Sequence, residues 1–271
     1  MPRAPGPPRG ILRTPPPGAG RHEHERRAPR SDALGEQVAH FWWVRWDLPA
    51  PAVTETLPHP CVHLTVEAGR AEVGGVATGV FRRRLARQGW VFGVKFRPAA
   101  FAAWLGRPLS TLTDRRLPAT AIVPAAYVRE LRAAPTFAAR CDVAERHLLA
   151  RLPPLPPATA AIRDLVERVE RDPALTRVEM LCDLAGLERR TLERRFARLV
   201  GVSPRWVLER YRLHEAAALL ARPSPPTVAD IAARLGYFDQ AHFARAFKAV
   251  VGAPPSAYLA APSAPGRRAG R

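Results

Sequence analysis

RRTLERRFARLVG at residues 189 to 201 and QAHFARAFKAVVG at 240 to 252 have one shape written twice. In each, an arginine stands two places before a phenylalanine and a short run closes on glycine. Leu192, Phe196, Leu199 and Val200 fall at i, i+4, i+7 and i+8, a single inward stripe of a helix. Arg190, Arg194 and Arg198, with Thr191 beside them, take the opposite face. In the second copy Phe243, Phe247, Val250 and Val251 repeat the stripe, while Ala241, Arg245 and Lys248 face outward and Gln240 and His242 sit near the helix start.

Each copy follows a shorter apolar helix pattern. Val178, Leu181, Cys182 and Ala185 precede Gly186, and Val228, Ile231, Ala232 and Leu235 precede Gly236. A helix, a glycine turn and a second helix with a polar, basic N-terminal half is the layout of a recognition helix that enters the major groove. A solvated bundle face would also be basic, but a bundle has no reason to repeat the pair in register. The helix between the units, about 18 residues, is roughly 27 Å long at ~1.5 Å per residue. That suits two recognition helices held near one DNA turn, roughly 34 Å, apart.

The 271 residues allow two domains and tails. No apolar run reaches the ~18 residues of a spanning helix, and the first 30 residues carry arginine and proline where a signal peptide needs an apolar stretch. A cytoplasmic protein without membrane contact is expected. Cys61, Cys141 and Cys182 are scattered and form no CxxC pair, which argues against a disulfide framework or a zinc ribbon. The net charge of +18 favours an anionic partner, yet the excess is spread, with +7 in 36 to 158 and only +4 in 161 to 260. Placement of the cations, rather than their number, must locate a site.

Residues 1–34 read as a disordered Pro/Arg-rich arm and 261–271 as a disordered tail. Between them the expected fold class is α+β. Residues 35–152 form a mainly β sensor or regulatory domain with helices, from the runs VAHFWWVRWDL, CVHLTVEAG, RAEVGG, ATGVFRRRL and WVFGVKF. Helices are expected at 98 to 105, with proline first, at 124 to 134 and at 136 to 152. The prolines of RLPPLPPAT make 153–158 a stiff linker. Residues 159–260 form an all-α domain of short helices with two helix-turn-helix units, stopped by Gly186, Gly201, Gly236 and Gly252.

LGYFDQAHFARAFKAVVGAPPSAYL at 235 to 259, preceded by RTLERRFARLVGVSPRWVLERYRLHEAAALL at 190 to 220, resembles the double helix-turn-helix domain of AraC/XylS-type transcription regulators. LPHPCVHL and VFGVKFRPAAFAAWLGRP resemble the N-terminal domain that precedes such domains in many bacterial regulators, with a cupin-like half barrel as the implied shape. The resemblance implies a sequence-specific DNA-binding transcription regulator, not an enzyme and without a cofactor. Base-reading positions carry over to Arg190, Glu193 and Arg194 in the first helix and to Gln240, Ala241, His242 and Arg245 in the second. Ala241 can offer only a thymine-methyl contact. Arg189, Thr191, Arg198 and Lys248 are read as phosphate contacts, with a helix-end charge pair as the other reading of Arg198. The implied partners are duplex promoter or operator DNA, a small-molecule effector, a second copy of the chain and, for an activator, RNA polymerase.

Two other chemistries compete. HPCVH puts His59, Cys61 and His63 on one face if the stretch is a strand, a geometry open to a soft divalent metal, although Pro60 and the lack of a fourth ligand count against it. Cys61 as a methyl-accepting thiol lacks a neighbouring base. Trp42, Trp43, Trp46, Trp90 and Trp104 read as core residues, or as the lining of a small-molecule pocket. A nonspecific nucleic-acid-binding protein and, behind it, a metal-dependent enzyme are the alternative functions.

Overall fold

The computed structural model describes residues 10–16, 18–222 and 224–259. The tail at 261–271 and the first nine residues of the arm lie outside the described residues. The N-terminal part is mainly β: β1 (Ile11–Arg13), β2 (Arg21–Arg27), the short α1 (Asp32–Gly35), β3 (Val38–Thr56), β4 (His63–Val66), β5 (Ala71–Gly74), β6 (Phe81–Phe96), α2 (Ala102–Leu105), β7 (Arg116–Pro118), α3 (Ala125–Ala133) and α4 (Phe137–Leu149). The strands build one antiparallel sheet in the order β1-β3-β6-β4-β5-β7, and β2 shares the outer edge of β3 with β1. Helices α3 and α4 cover one face, where Tyr127, Leu131, Cys141 and Leu148 meet Phe41, Leu64, Phe92 and Val94 in a single core.

Four sequence expectations change here. The two runs 77 to 85 and 90 to 96 join into the 16-residue β6, and the run ending at Leu48 continues to Thr56 as the 19-residue β3. Pro49 and Pro51 are accommodated because the register shifts between Leu48 and Ala52, a bulge where no ladder N–H is required. The helix expected from Pro98 begins only at Ala102, since Ala99 has φ of +62° and cannot continue a helical turn. The arm is ordered from Gly10 onward among the described residues. Its segment RHEHERR pairs residue by residue with β3, from Arg21 against Asp47 to Arg27 against Phe41. Arg45 bonds Glu23 at 2.6 Å, Arg27 bonds Asp142 at 2.7 Å, and the Glu145 carboxylate accepts the backbone N–H groups of Arg30 and Ser31. A segment poor in apolar residues is thus held by ladder bonds and charge pairs.

Trp42 and Trp46 fill the space over two glycines of the sheet. Across the β3/β6 ladder Trp42 stands opposite Gly93 and Trp46 opposite Gly89. Each indole lies over the bare glycine, so a Cβ on Gly93 would come within 2.1 Å of Trp42 and one on Gly89 within 2.3 Å of Trp46. Trp43 is buried, with Arg140 stacked on it at 4.6 Å and on Trp90 at 3.7 Å.

The C-terminal part is all α: α5 (Pro157–Arg171), α6 (Val178–Ala185), α7 (Arg189–Leu199), α8 (Pro204–Leu220), α9 (Val228–Arg234), α10 (Gln240–Val251) and α11 (Pro255–Leu259). Ser203 caps α8 with Pro204 at its first position, and Thr227 with Asp230 forms a capping box on α9. Among the described residues no helix is long and apolar enough to cross a membrane.

The two parts are packed against each other on either side of the proline-rich stretch before α5. Gln37 donates to the carbonyl of Pro153 at 2.7 Å. Val76 and Ala99 of the β part join the core around α5 to α8, and Leu57 joins the core around α9 and α10. Arg97 pairs with Glu167 at 2.7 Å, Arg163 with Glu36, and Thr113 donates to the carbonyl of Gly201 at 2.6 Å.

Gly93→Ala is expected to destabilise the protein by about 1–3 kcal/mol through overpacking against Trp42. Gly79→Ala, with open space around it, is the neutral comparison. Urea denaturation of the two variants reads the difference.

Candidate nucleic-acid interface

Helices α6 and α7 form the first unit and α9 and α10 the second. Gly186 and Gly236 end the leading helices with φ of +59° and +68°, the left-handed conformation that a residue with a Cβ resists. Leu192 and Phe196 of α7, and Phe243 and Phe247 of α10, are fully buried, which fixes the opposite face of each helix toward solvent. Inward, α7 packs on Leu181, Val207 and Leu208, and α10 on Leu219, Ile231 and Leu235.

On that outward face of α7, Arg190, Glu193, Arg194 and Arg198 are exposed and Thr191 is half-buried. Arg190, Arg194 and Arg198 make no hydrogen bond or ion pair with the described residues, so their five donors each are open to a ligand. Arg189 differs: it holds Glu179 at 3.1 Å and Glu193 at 3.0 Å. These carboxylates raise the Arg189 pKa, first through the Glu193 hydrogen bond. A phosphate contact by Arg189 and base reading by Glu193 therefore compete with an existing pair.

On α10, Gln240, Ala241, His242, Arg245 and Lys248 are all exposed. Asp239 caps the helix by accepting the His242 N–H at 2.6 Å, and the His242 ring meets the Tyr237 ring edge-on at 5.4 Å. The cap fixes where Gln240 and Ala241 begin. Phe238, just before the cap, is 92% exposed, a large apolar side chain at the mouth of the second unit that periodicity could not single out.

Two arginines of α8 position this surface. Arg212 donates to the carbonyls of Leu235 at 2.7 Å and Gly236 at 2.6 Å, and its guanidinium lies 4.3 Å over the Tyr237 ring. It satisfies the carbonyls at the end of α9 and so holds the turn of the second unit. Arg210 is buried, stacks on Trp206 at 4.4 Å and donates to the carbonyl of Thr78 in the β part. Burial lowers its pKa to about 10, still charged at neutral pH.

HPCVH is not a strand until His63. His59 leaves the sheet and stacks on His214 of α8 with ring centroids 4.2 Å apart, its Nδ1 3.6 Å from Glu170. His63 stays in β4, accepting at Nδ1 from the Trp42 indole at 3.3 Å, and burial lowers its pKa to about 3. Burial pushes the Cys61 thiol up to about 12, far from a reactive thiolate. Among the described residues no group of three or more His, Cys, Asp or Glu side chains is arranged to hold a metal. Away from α7 and α10, an open groove of about 420 Å³ lies between Ala71, Pro118 and α3, bordered by Arg129 and Arg132.

The fold and this surface define a double helix-turn-helix domain joined to an N-terminal β domain. Residues 181–261 match the family model described as a helix-turn-helix domain, and residues 26–118 match a domain of unknown function, DUF6597. The C-terminal domain is of the AraC type. An AraC-like transcription regulator of Streptomyces lividans is 40% identical over 98 residues, 36% of this chain and 32% of the relative. A helix-turn-helix-type transcriptional regulator of Haemophilus influenzae, itself uncharacterised, is 38% identical over 81 residues, 30% of this chain and 27% of the relative. This chain thus spans about a third of the length of the curated relatives it matches. The DNA-binding domain of the global transcriptional factor AdpA, solved in complex with a target DNA, is 30% identical with a TM-score of 0.32, covering 38% of this chain and 90% of that one.

Arg212→Ala removes both carbonyl contacts and is expected to cost about 1–3 kcal/mol. Arg212→Lys should recover part of it, since one ammonium lacks the planar fork. Thermal unfolding of the full chain measures both.

Proposed function

We propose that this chain binds duplex DNA sequence-specifically through residues 159–260, one recognition helix in each of two successive major grooves, and acts in transcription control. The observation that carries this reading is the pair of helices backed by buried phenylalanines whose outward cations, Arg190 and Arg194 on α7 and Arg245 and Lys248 on α10, are exposed and unpaired. Arg190, Arg194, Gln240, His242 and Arg245 read base edges, joined by Glu193 when Arg189 releases it. Ala241 and Phe238 supply apolar contact. Thr191, Arg198 and Lys248 hold phosphates, with Arg189 once freed.

Titration of the duplex upstream of its own gene by fluorescence anisotropy should give an affinity that falls steeply with salt and exceeds that for a random duplex. Arg194→Ala should cost roughly 1–3 kcal/mol and relax selectivity at one position, whereas Lys248→Ala should weaken all sequences alike. Equal affinity for every duplex would favour the nonspecific alternative. Identical effects of the two substitutions would remove the division between reading and clamping.

The finer reading is that the N-terminal domain governs this binding, through a small-molecule effector or a second copy of the chain. It is supported by the packing of Val76 and Ala99 against the first unit and of Leu57 against the second, so that a shift of one domain reaches both units. Glu167→Gln, which removes the partner of Arg97 far from the recognition helices in sequence, is expected to change operator affinity. If affinity stays constant in that variant and no compound from a thermal-shift screen alters it in the full chain, the domain is a scaffold and not a sensor. Mass in solution with and without operator decides the dimer.

A further inference from the structure

We propose that the N-terminal domain does not only govern DNA binding but adds to the DNA surface itself, with Arg82 and Arg84 of β6 extending the outward stripe of α10 beyond its phosphate contact, Lys248. The inference rests on the DNA-binding reading above. Ala241, Arg245 and Lys248 stand at i, i+4 and i+7 on the outward face of α10, and the next residue of the same stripe, at i+11, is Gly252. Gly252 closes the helix and carries no side chain. A guanidinium nitrogen of Arg82 lies 3.1 Å from where a Cβ on Gly252 would stand. The row of cations that begins with Arg245 and Lys248 is therefore continued by a cation from the other domain.

Arg84 lengthens the row. On a strand, residues two apart share a face and are about 7 Å apart. The ladder pairs Arg82 with Glu55 and Arg84 with Val53, so both arginines project on one side of the β3/β6 ribbon. Arg82 and Arg84 are both exposed. Glu55 holds Arg82 through Nε at 2.9 Å, which orients the guanidinium and leaves its terminal nitrogens for another acceptor. Arg84 has no hydrogen-bond or ion-pair partner among the described residues. The intervening Arg83 is spent inside the domain, paired with Glu67 at 2.7 Å and stacked on Trp46 at 5.0 Å.

A DNA backbone bordering the groove that holds α10 passes the C-terminal end of that helix, where phosphate contacts by arginine are sequence-independent. This surface also gives the positive charge of the N-terminal domain a use that an internal role would not.

The test measures the salt dependence of binding by the full chain on two duplexes, the region upstream of its own gene and a random sequence. Arg82→Ala/Arg84→Ala should weaken both several-fold without changing their ratio. It should also make the slope of log affinity against log salt shallower by about 1 for each phosphate that is no longer held. Arg84→Ala alone, which breaks no internal contact, should give part of the same change with an unchanged melting temperature. If Lys248→Ala weakens binding while both β6 variants keep the wild-type affinity and slope, the proposal is overturned and the DNA-binding reading stands. The same holds if only the double variant changes and its melting temperature has fallen. No affinity of the wild-type chain for either duplex would end both.

Discussion

Helix α8 is buried along its length and on more than one side, and the arrangement of the molecule depends on that burial. Val207, Leu208 and Tyr211 pack into the first helix-turn-helix unit, while Leu213, Ala216, Leu219 and Leu220 pack into the second. Arg210 and His214 turn toward the β part, at Thr78 and Pro58. A helix with this pattern lacks a single solvent face and has a weak amphipathic signal. It sets the separation of α7 and α10 because its rise is fixed at ~1.5 Å per residue, and it limits their rotation because each unit is wedged on its own side.

The polar contacts on α8 follow the same logic. Burying a guanidinium is costly unless its donors are met, and Arg210 meets a backbone carbonyl through Nη2 and an indole face, with its Nη1 left without a hydrogen-bond partner among the described residues. Arg212 meets two carbonyls at the end of α9. These contacts turn a connector into a clamp. The turn around Gly236 lies near Thr176, just ahead of α6: a Cβ added at Gly236 would stand 3.4 Å from the Thr176 side chain. Motion of the second unit alone would have to break carbonyl contacts and apolar packing together.

The arginines divide by what they touch. Those meeting half-buried carboxylates or carbonyls, such as Arg97, Arg163 and Arg212, hold the fold. Among those without partners, Arg190, Arg194 and Arg198 lie on the outward face of α7, Arg245 on that of α10 and Arg84 on β6, while others, such as Arg129 of α3, lie elsewhere. Net charge could not separate these groups, since both contribute equally to +18. Exposed pairs such as that of Arg189 with Glu179 and Glu193 contribute little to stability but do keep a cation from a phosphate until it is released.

The sequence by itself determined the helices from α5 to α11 closely, because each is stopped by a neighbouring glycine or proline and, α8 apart, is specified by a local apolar stripe. Leu192 with Phe196 and Phe243 with Phe247 declared which faces point inward, and so which residues are left for a ligand. The α+β division was legible for the same reason. What only the tertiary structure decided depends on partners distant in the chain. The segment at 21–27 becomes a strand because β3 offers an edge, Trp42 and Trp46 fill space because glycines stand opposite them, and His59, ahead of the strand at His63, meets His214 of α8. The prolines before α5 read as a stiff linker, and only the structure shows Leu57, Val76 and Ala99 joining the cores of the C-terminal part. Periodicity records which face of an element is apolar, but it does not record which other element will cover it.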